Sequence, residues 1–402
     1  MQSQKQIWLN RGFVFLLVAI LAGLFISRAV LSIASVALLF VFFVSPKSKL
    51  QWQGVLSGVG LLLLPVVLSG LWSENLAEWW RAVEVKLPLL TIGLAISVHL
   101  ISMTTWKAFV ITLLVLTTLG SFWSTWQYLQ HTDEILAGYL QARVMPTPLN
   151  DDHIRFSWLV VLSMLLAVPA TFKSSVWLRN TVYILCGWLV IYLHLLSAKT
   201  GLLCLYVSLA GAAFHLLSIQ KKRGWSAMII ATTIAAPLLA YAALPSFKNR
   251  VQYVLYDFSN YSRGNFMSGL SDGARVLSVK AGWAITNQHP IAGVGFGDLK
   301  PAINDWHQQY FPHTKAFERF LPLNEWLLYG AGSGWPGMLL FTLGILLLLR
   351  PLWVGGILCR ITAVVLTIPL ITDDTLESQF GVVIFIFVLM WMRMHQQLKV
   401  ST

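Results

Sequence analysis

The chain has 402 residues, of which 57% are hydrophobic and only 11% charged, with a mean hydropathy of +0.70 and a formal net charge of +12. A soluble protein carries roughly 25% charged residues, so a water-soluble globule is excluded. No polar region combines a basic surface with interleaved aromatics, so nucleic acid is excluded as a partner too.

A membrane helix needs about 20 mostly apolar residues. In chain order the apolar runs predict about twelve such spans, near 12–27, 29–45, 53–72, 87–103, 106–129, 156–171, 177–197, 199–218, 226–243, 323–349, 353–371 and 378–393. The first is closely followed by others and lacks a small-residue cleavage site, so it reads as an anchor, not a removed signal. Runs such as 109–119 and 339–349 are apolar all round and do not alternate, which excludes a transmembrane β-barrel.

Three polar stretches separate these runs. The first, 72–86, holds Trp79, Trp80, Arg81, Glu84 and Lys86 before Pro88, and reads as an interfacial helix with an aromatic anchor. The second, 131–155, contains Pro146, Pro148 and Asn150-Asp151-Asp152-His153-Ile154-Arg155. The third and longest, 244–322, is too rich in aromatic and aliphatic residues to be disordered, and a loop of that length is functional. Helices are predicted there over 272–287, with Asp272 as N-cap, and over about 299–311.

With the N-terminus inside, twelve spans return the C-terminus to the same side. Lys5, Arg11, Lys47, Lys49, Lys107, Lys173, Arg179, Lys221, Lys222, Arg223, Arg350, Arg393 and Lys399 then fall inside, the positive-inside pattern. The sixteen carboxylates, from Glu74 to Glu377, fall in or at the edge of outer segments. The expected architecture is all-α, one polytopic membrane domain over 1–402, with 244–322 as a large outer loop within it. Cys186, Cys204 and Cys359 lie inside apolar runs and act there as small hydrophobes.

The chemistry gathers in the outer segments. Gly293, Gly295 and Gly297 could form a phosphate cradle of backbone N–H groups, but no strand or GKS follows the pattern of a nucleotide loop, and a tight turn explains them as well. Arg155, Lys199 and Arg275 sit at span ends or in the loop. Such cations are commonly snorkelling anchors, yet three on one side of the membrane also suit a diphosphate headgroup. His131, His153, His289, His307 and His313 supply candidate bases. No pair has helical metal-ligand spacing, so neither a metal nor another cofactor is expected.

The motifs Asp272-Gly273-Ala274-Arg275, Asn287-Gln288-His289-Pro290-Ile291-Ala292-Gly293-Val294-Gly295-Phe296-Gly297-Asp298 and Pro322-Leu323-Asn324-Glu325-Trp326-Leu327 resemble those of the bacterial O-antigen ligase and polymerase family. So do Asp152-His153-Ile154-Arg155-Phe156-Ser157, Ser197-Ala198-Lys199-Thr200-Gly201 and Thr372-Asp373-Asp374-Thr375-Leu376-Glu377. The resemblance implies a GT-C-like bundle with a helical periplasmic loop domain, in the bacterial inner membrane, its active site facing the periplasm. It implies a metal-independent glycosyltransferase that moves a glycan from undecaprenyl diphosphate to a sugar hydroxyl of lipid A–core oligosaccharide, among membrane lipids. A polymerase extending a growing glycan on the same carrier is the close alternative. A polysaccharide or lipid transporter is the second, less well matched because span interiors carry almost no charge beyond Arg360 and His194.

In that family Arg155, Lys199 and Arg275 would hold the donor diphosphate, with His153, Asn324, Gly293 and Gly295 as further site residues. Two departures stand out. The family's proposed base is a histidine where this chain has Leu323, so the proton acceptor is His313, Glu325 or His153, or activity is impaired. The family also tends to carry arginine where Lys199 stands, which turns a bidentate contact into a point charge.

Overall fold

In lipid a backbone amide has no water to bond, so an apolar chain satisfies its own N–H and C=O groups by coiling into helices. The computed structural model, which describes residues 4–45, 51–98, 101–141, 143–172, 174–262 and 271–400, follows this rule and holds no strand among those residues. Lys47, Lys49 and Lys173, counted above among the inner cations, lie outside the described residues.

The helices are α1 (Gln4–Ile26), α2 (Arg28–Val44), α3 (Gln51–Leu68), α4 (Leu76–Val98), α5 (Met103–Gln130), α6 (Thr132–Tyr139), α7 (His153–Ala170), α8 (Val176–Leu196), α9 (Lys199–Ser218), α10 (Arg223–Ala243), α11 (Pro245–Ser262), α12 (Ser271–Gln288), α13 (Leu299–Tyr310), α14 (Glu325–Trp353), α15 (Ile357–Thr372) and α16 (Gln379–Val400). Every expected span falls on a helix. Among the described residues nine helices are long and apolar enough to cross a membrane: α1, α3, α5, α7, α8, α9, α10, α14 and α16. Helices α2 and α15 are apolar but shorter.

The remaining expected span departs from its outline. The 72–86 stretch is no separate interfacial helix: α4 runs unbroken from Leu76 through Pro88 to Val98. Its charged first turns belong to the same rod as its apolar end, and Lys86 is fully buried. The outer loop contains the two expected helices, α12 and α13, and also α11, which was not expected. Helix α12 opens at Ser271, which puts Asp272 in its first turn and not at the cap.

The chain divides into two compact units. The first comprises Met1–Trp106, Arg275–Val354 and Leu370–Thr402, the second Lys107–Ala274 and Gly355–Pro369. In the first unit α14 lies along α3, and α4 packs against α2, α3 and α16. Small residues permit the closest of these approaches: a Cβ on Gly344 would fall 2.8 Å from Leu62 Cδ2, and one on Gly58 2.7 Å from Leu348 Cγ. Tyr329 and Ser333 of α14 donate to the Leu62 and Pro65 carbonyls of α3 at 3.0 and 3.2 Å. In the second unit α9 packs between α7 and α10, and α11 touches α6, α8 and α10. Tyr139 donates to the Leu195 and Leu196 carbonyls, and Ser246 to Leu195, which pins α6 and α11 to the end of α8.

Candidate functional site

In the first unit the residues of three motifs meet on the 371–377 turn that precedes α16. Asn324 caps α14: its Oδ1 accepts from Leu327 N at 3.1 Å, as a helix start requires. Its Nδ2 donates to the Ile371 carbonyl at 3.0 Å, so one amide both starts the helix and holds the turn. Arg275, half-buried on α12, donates to the Thr372 carbonyl at 3.4 Å. Glu325, fully buried, accepts the Leu376 N–H. At the end of the turn Glu377 bonds Lys86 of α4. Leu323 is 8% exposed, and its N–H donates to Ser278 Oγ at 3.2 Å.

The glycine loop between α12 and α13 is built into the same unit by a break in α14. Pro336 has no N–H, so the Gly332 carbonyl loses its helical partner. Ser333 (φ −142°, ψ 18°) and Gly334 (φ 67°, ψ −170°) leave helical geometry there. The loop supplies what the break lacks: Val294 N donates to Ala331 O at 2.9 Å, and Gly295 N to Gly332 O at 3.0 Å. In return Trp335 N donates to Pro290 O at 2.9 Å. Gly293 (φ 65°) and Gly295 (φ 91°) occupy the left-handed region that side chains avoid. Every N–H from Gly293 to Asp298 donates within the protein, the last three to Ser69 Oγ, Ser73 Oγ and Gly295 O. These glycines therefore serve the tight turn, and in this arrangement they offer no free amide to a phosphate. Asp298 ends the loop by accepting from Glu74 N and Asn75 N at 2.7 and 3.0 Å, which ties it to the residues leading into α4, where Asn75 Oδ1 caps the helix by accepting from Glu78 N at 3.1 Å.

In the second unit Arg155 and Lys199 stand at the starts of α7 and α9. Those starts lie side by side, because a Cβ on Gly201 would sit 2.4 Å from Ser157 Cβ. Asp152 caps α7 by accepting from Arg155 N at 3.1 Å, and its other oxygen lies 3.6 Å from Arg155 Nε. Just before it Leu149, Asn150 and Asp151 all have positive φ, near 64°, 56° and 63°. Non-glycine residues rarely adopt this conformation, and three in a row gather strain where sites tend to be. Lys199 bonds both oxygens of Asp272. Asp257 of α11 accepts from Asp272 N at 2.7 Å, and burial raises its carboxyl above the ordinary value despite that donor.

The histidines divide by environment. His313 is exposed in the turn after α13, and His153 is half-buried at the start of α7. His307, at the end of α13, is fully buried, and its Nδ1 shares a 3.1 Å hydrogen bond with Thr314 Oγ1. Burial, and then the nearby Arg319 charge, lower its affinity for a proton. Among the described residues no three His, Cys, Asp or Glu side chains group as metal ligands would.

Sequence reasoning missed two features. The Lys86–Glu377 pair joins residues 291 apart in sequence, and only the odd presence of a lysine beside an apolar run hinted at it. The left-handed run at 149–151 carried no signal beyond Asn and Asp, which tolerate that region better than most residues. No protein-family model matches this chain, and no curated protein matches it.

Proposed function

We propose that this chain is a lipid-carrier-dependent glycosyltransferase of the O-antigen ligase type. In this reading it has twelve spans, lies in the bacterial inner membrane and holds its 244–322 loop on the periplasmic side. The observation that carries the reading is the meeting of Arg275, Asn324 and Glu325 on the 371–377 turn. Arg275 comes from one motif and Asn324 and Glu325 from a second, and the turn itself is a third, each part of the resemblance.

The reaction breaks the bond between the glycan's first carbon and the carrier diphosphate, which leaves with the electron pair. The acceptor hydroxyl oxygen forms the new bond and gives its proton to a base. Arg275 spends one N–H on the Thr372 carbonyl. Its remaining donors can take up charge on the departing diphosphate, where a fixed cation lowers the barrier. Of the three candidate bases His313 is the exposed one, whereas Glu325 is fully buried against the turn. Arg155 and Lys199 are donor-binding proposals on the strength of their motifs.

The test uses the purified full chain in lipid nanodiscs with undecaprenyl-diphosphate-linked glycan and lipid A–core oligosaccharide. Lengthened core on a gel is the expected result, and Arg275→Ala is expected to weaken donor binding by about 1.5–3 kcal/mol. Glycan chains that lengthen on the carrier while core stays unmodified identify a polymerase. Neither product from well-folded protein overturns the reading.

A further inference from the structure

Lys86 has no part in the transfer as written, yet it is 0% exposed inside α4. A buried ammonium is costly unless it is paired. Its Nζ bonds Glu377 Oε1 and stands 5.3 Å from the centroid of the Phe296 ring, at the foot of the glycine loop. One residue back along the turn, Leu376 N donates to Glu325 Oε1. Glu325 Oε2 has no hydrogen-bond partner among the described residues. Lys86 thus pairs with the half-buried Glu377, whose neighbour on the turn bonds the fully buried Glu325.

The same short turn carries Arg275 and Asn324 on its Thr372 and Ile371 carbonyls, and a 3-10 turn, Thr375–Glu377, forms its far end. Glu377 thus anchors the far end of the turn whose near end holds the carbonyl against which Arg275 rests. We propose that Lys86 is a positioning residue for Arg275: by holding Glu377 it keeps the 371–377 turn seated, and so sets where the Arg275 guanidinium meets the donor diphosphate. This rests on the reading of Arg275 as a diphosphate ligand. Without the lysine, Glu377 loses the partner that holds it in place, and because its side chain is already 13% exposed it can turn toward water and take the turn with it.

The experiment measures binding of undecaprenyl diphosphate to the full chain in nanodiscs, for wild type, Lys86→Met, Lys86→Arg, Arg275→Ala and the Lys86→Met/Arg275→Ala double variant. Lys86→Met is expected to weaken binding about tenfold, the scale of one charge-assisted contact. The donor KM in the transfer assay should rise by a similar factor with kcat changed less, and Lys86→Arg should retain binding. Because Lys86 acts through Arg275, the double variant should bind no more weakly than Arg275→Ala alone. Additive losses, or normal binding by Lys86→Met, overturn the inference. Should Lys86→Met not fold, Lys86→Met/Glu377→Met removes both partners, which buried pairs tolerate better than the loss of one. Unchanged binding in that variant is equally fatal. A wild-type chain that binds no undecaprenyl diphosphate overturns the functional reading and this inference with it, whereas normal binding by both wild type and Lys86→Met overturns the inference alone.

Discussion

Leu323 sits one residue before the helix cap at Asn324, its N–H already bonded to Ser278. A side chain there is thus held on a fixed backbone, but leucine accepts no proton. Leu323→His is expected to raise glycan transfer by roughly two to four decades, the gain a positioned base supplies. An unchanged rate, together with abolition of transfer by His313→Ala, would place the base at His313. His307 yields a prediction of a different kind. Its proton affinity in the fold lies below the ordinary histidine value of about 6.5. The unfolded chain then binds the proton more readily, so the stability present above that value is lost as pH falls through the folded one. Protection of α13 against hydrogen exchange, taken relative to the intrinsic rate at each pH, should decline as the pH falls below about 6.5, and His307→Gln should flatten that dependence. An equal pH response in both proteins would show that another group titrates. The sequence displayed the residue types at these positions but not their burial. His307 and His313 look alike as loop histidines, and only the packing of α13 separates them.

Among the elements, α14 shows best what periodicity reveals and what it hides. Its apolar length marks it as a span, and Pro336 marks a weak point in it. That the 290–295 segment repairs this point could not be foreseen, because the partners lie some forty residues apart and make only main-chain bonds, roughly as two strands would. Gly334 is where the repair is most exacting: its φ is 67°, and a Cβ would stand 2.5 Å from Pro290 O. Gly334→Ala is expected to cost at least about 1–2 kcal/mol from the backbone alone. It should appear as a lower melting temperature and faster proteolysis at the glycine loop, and an unaltered melt would deny the break its structural weight. Helix α4 erred the other way. Its charged first turns and Pro88 suggested a boundary, yet the rod runs on through this mid-helix proline, held from outside by the Lys86–Glu377 pair and by Asp298 on the segment that leads into it.

Across the described residues, the apolar composition made an all-helical architecture with helices able to cross a membrane legible at once, since lipid leaves a backbone few alternatives. The positions of the apolar helices were legible too, and nine of the described helices have the length and apolarity for crossing a membrane. The side of the membrane on which the outer loop lies can be tested directly. With the three native cysteines replaced by alanine, Asp305→Cys on exposed ground in α13 should react with an impermeant thiol reagent in intact spheroplasts. Labelling only after lysis would invert the topology. The break in α14 also dictates a schedule for biogenesis. Residues 290–295 leave the ribosome before 331–335, and until the two segments join, the Ala331 and Gly332 carbonyls and the Trp335 amide are bare. Bare groups of this kind are not tolerated in hydrocarbon. Release of α14 into lipid ahead of the loop would leave these groups without partners, so insertion of this helix and its joining to the 290–295 segment are expected to be coupled.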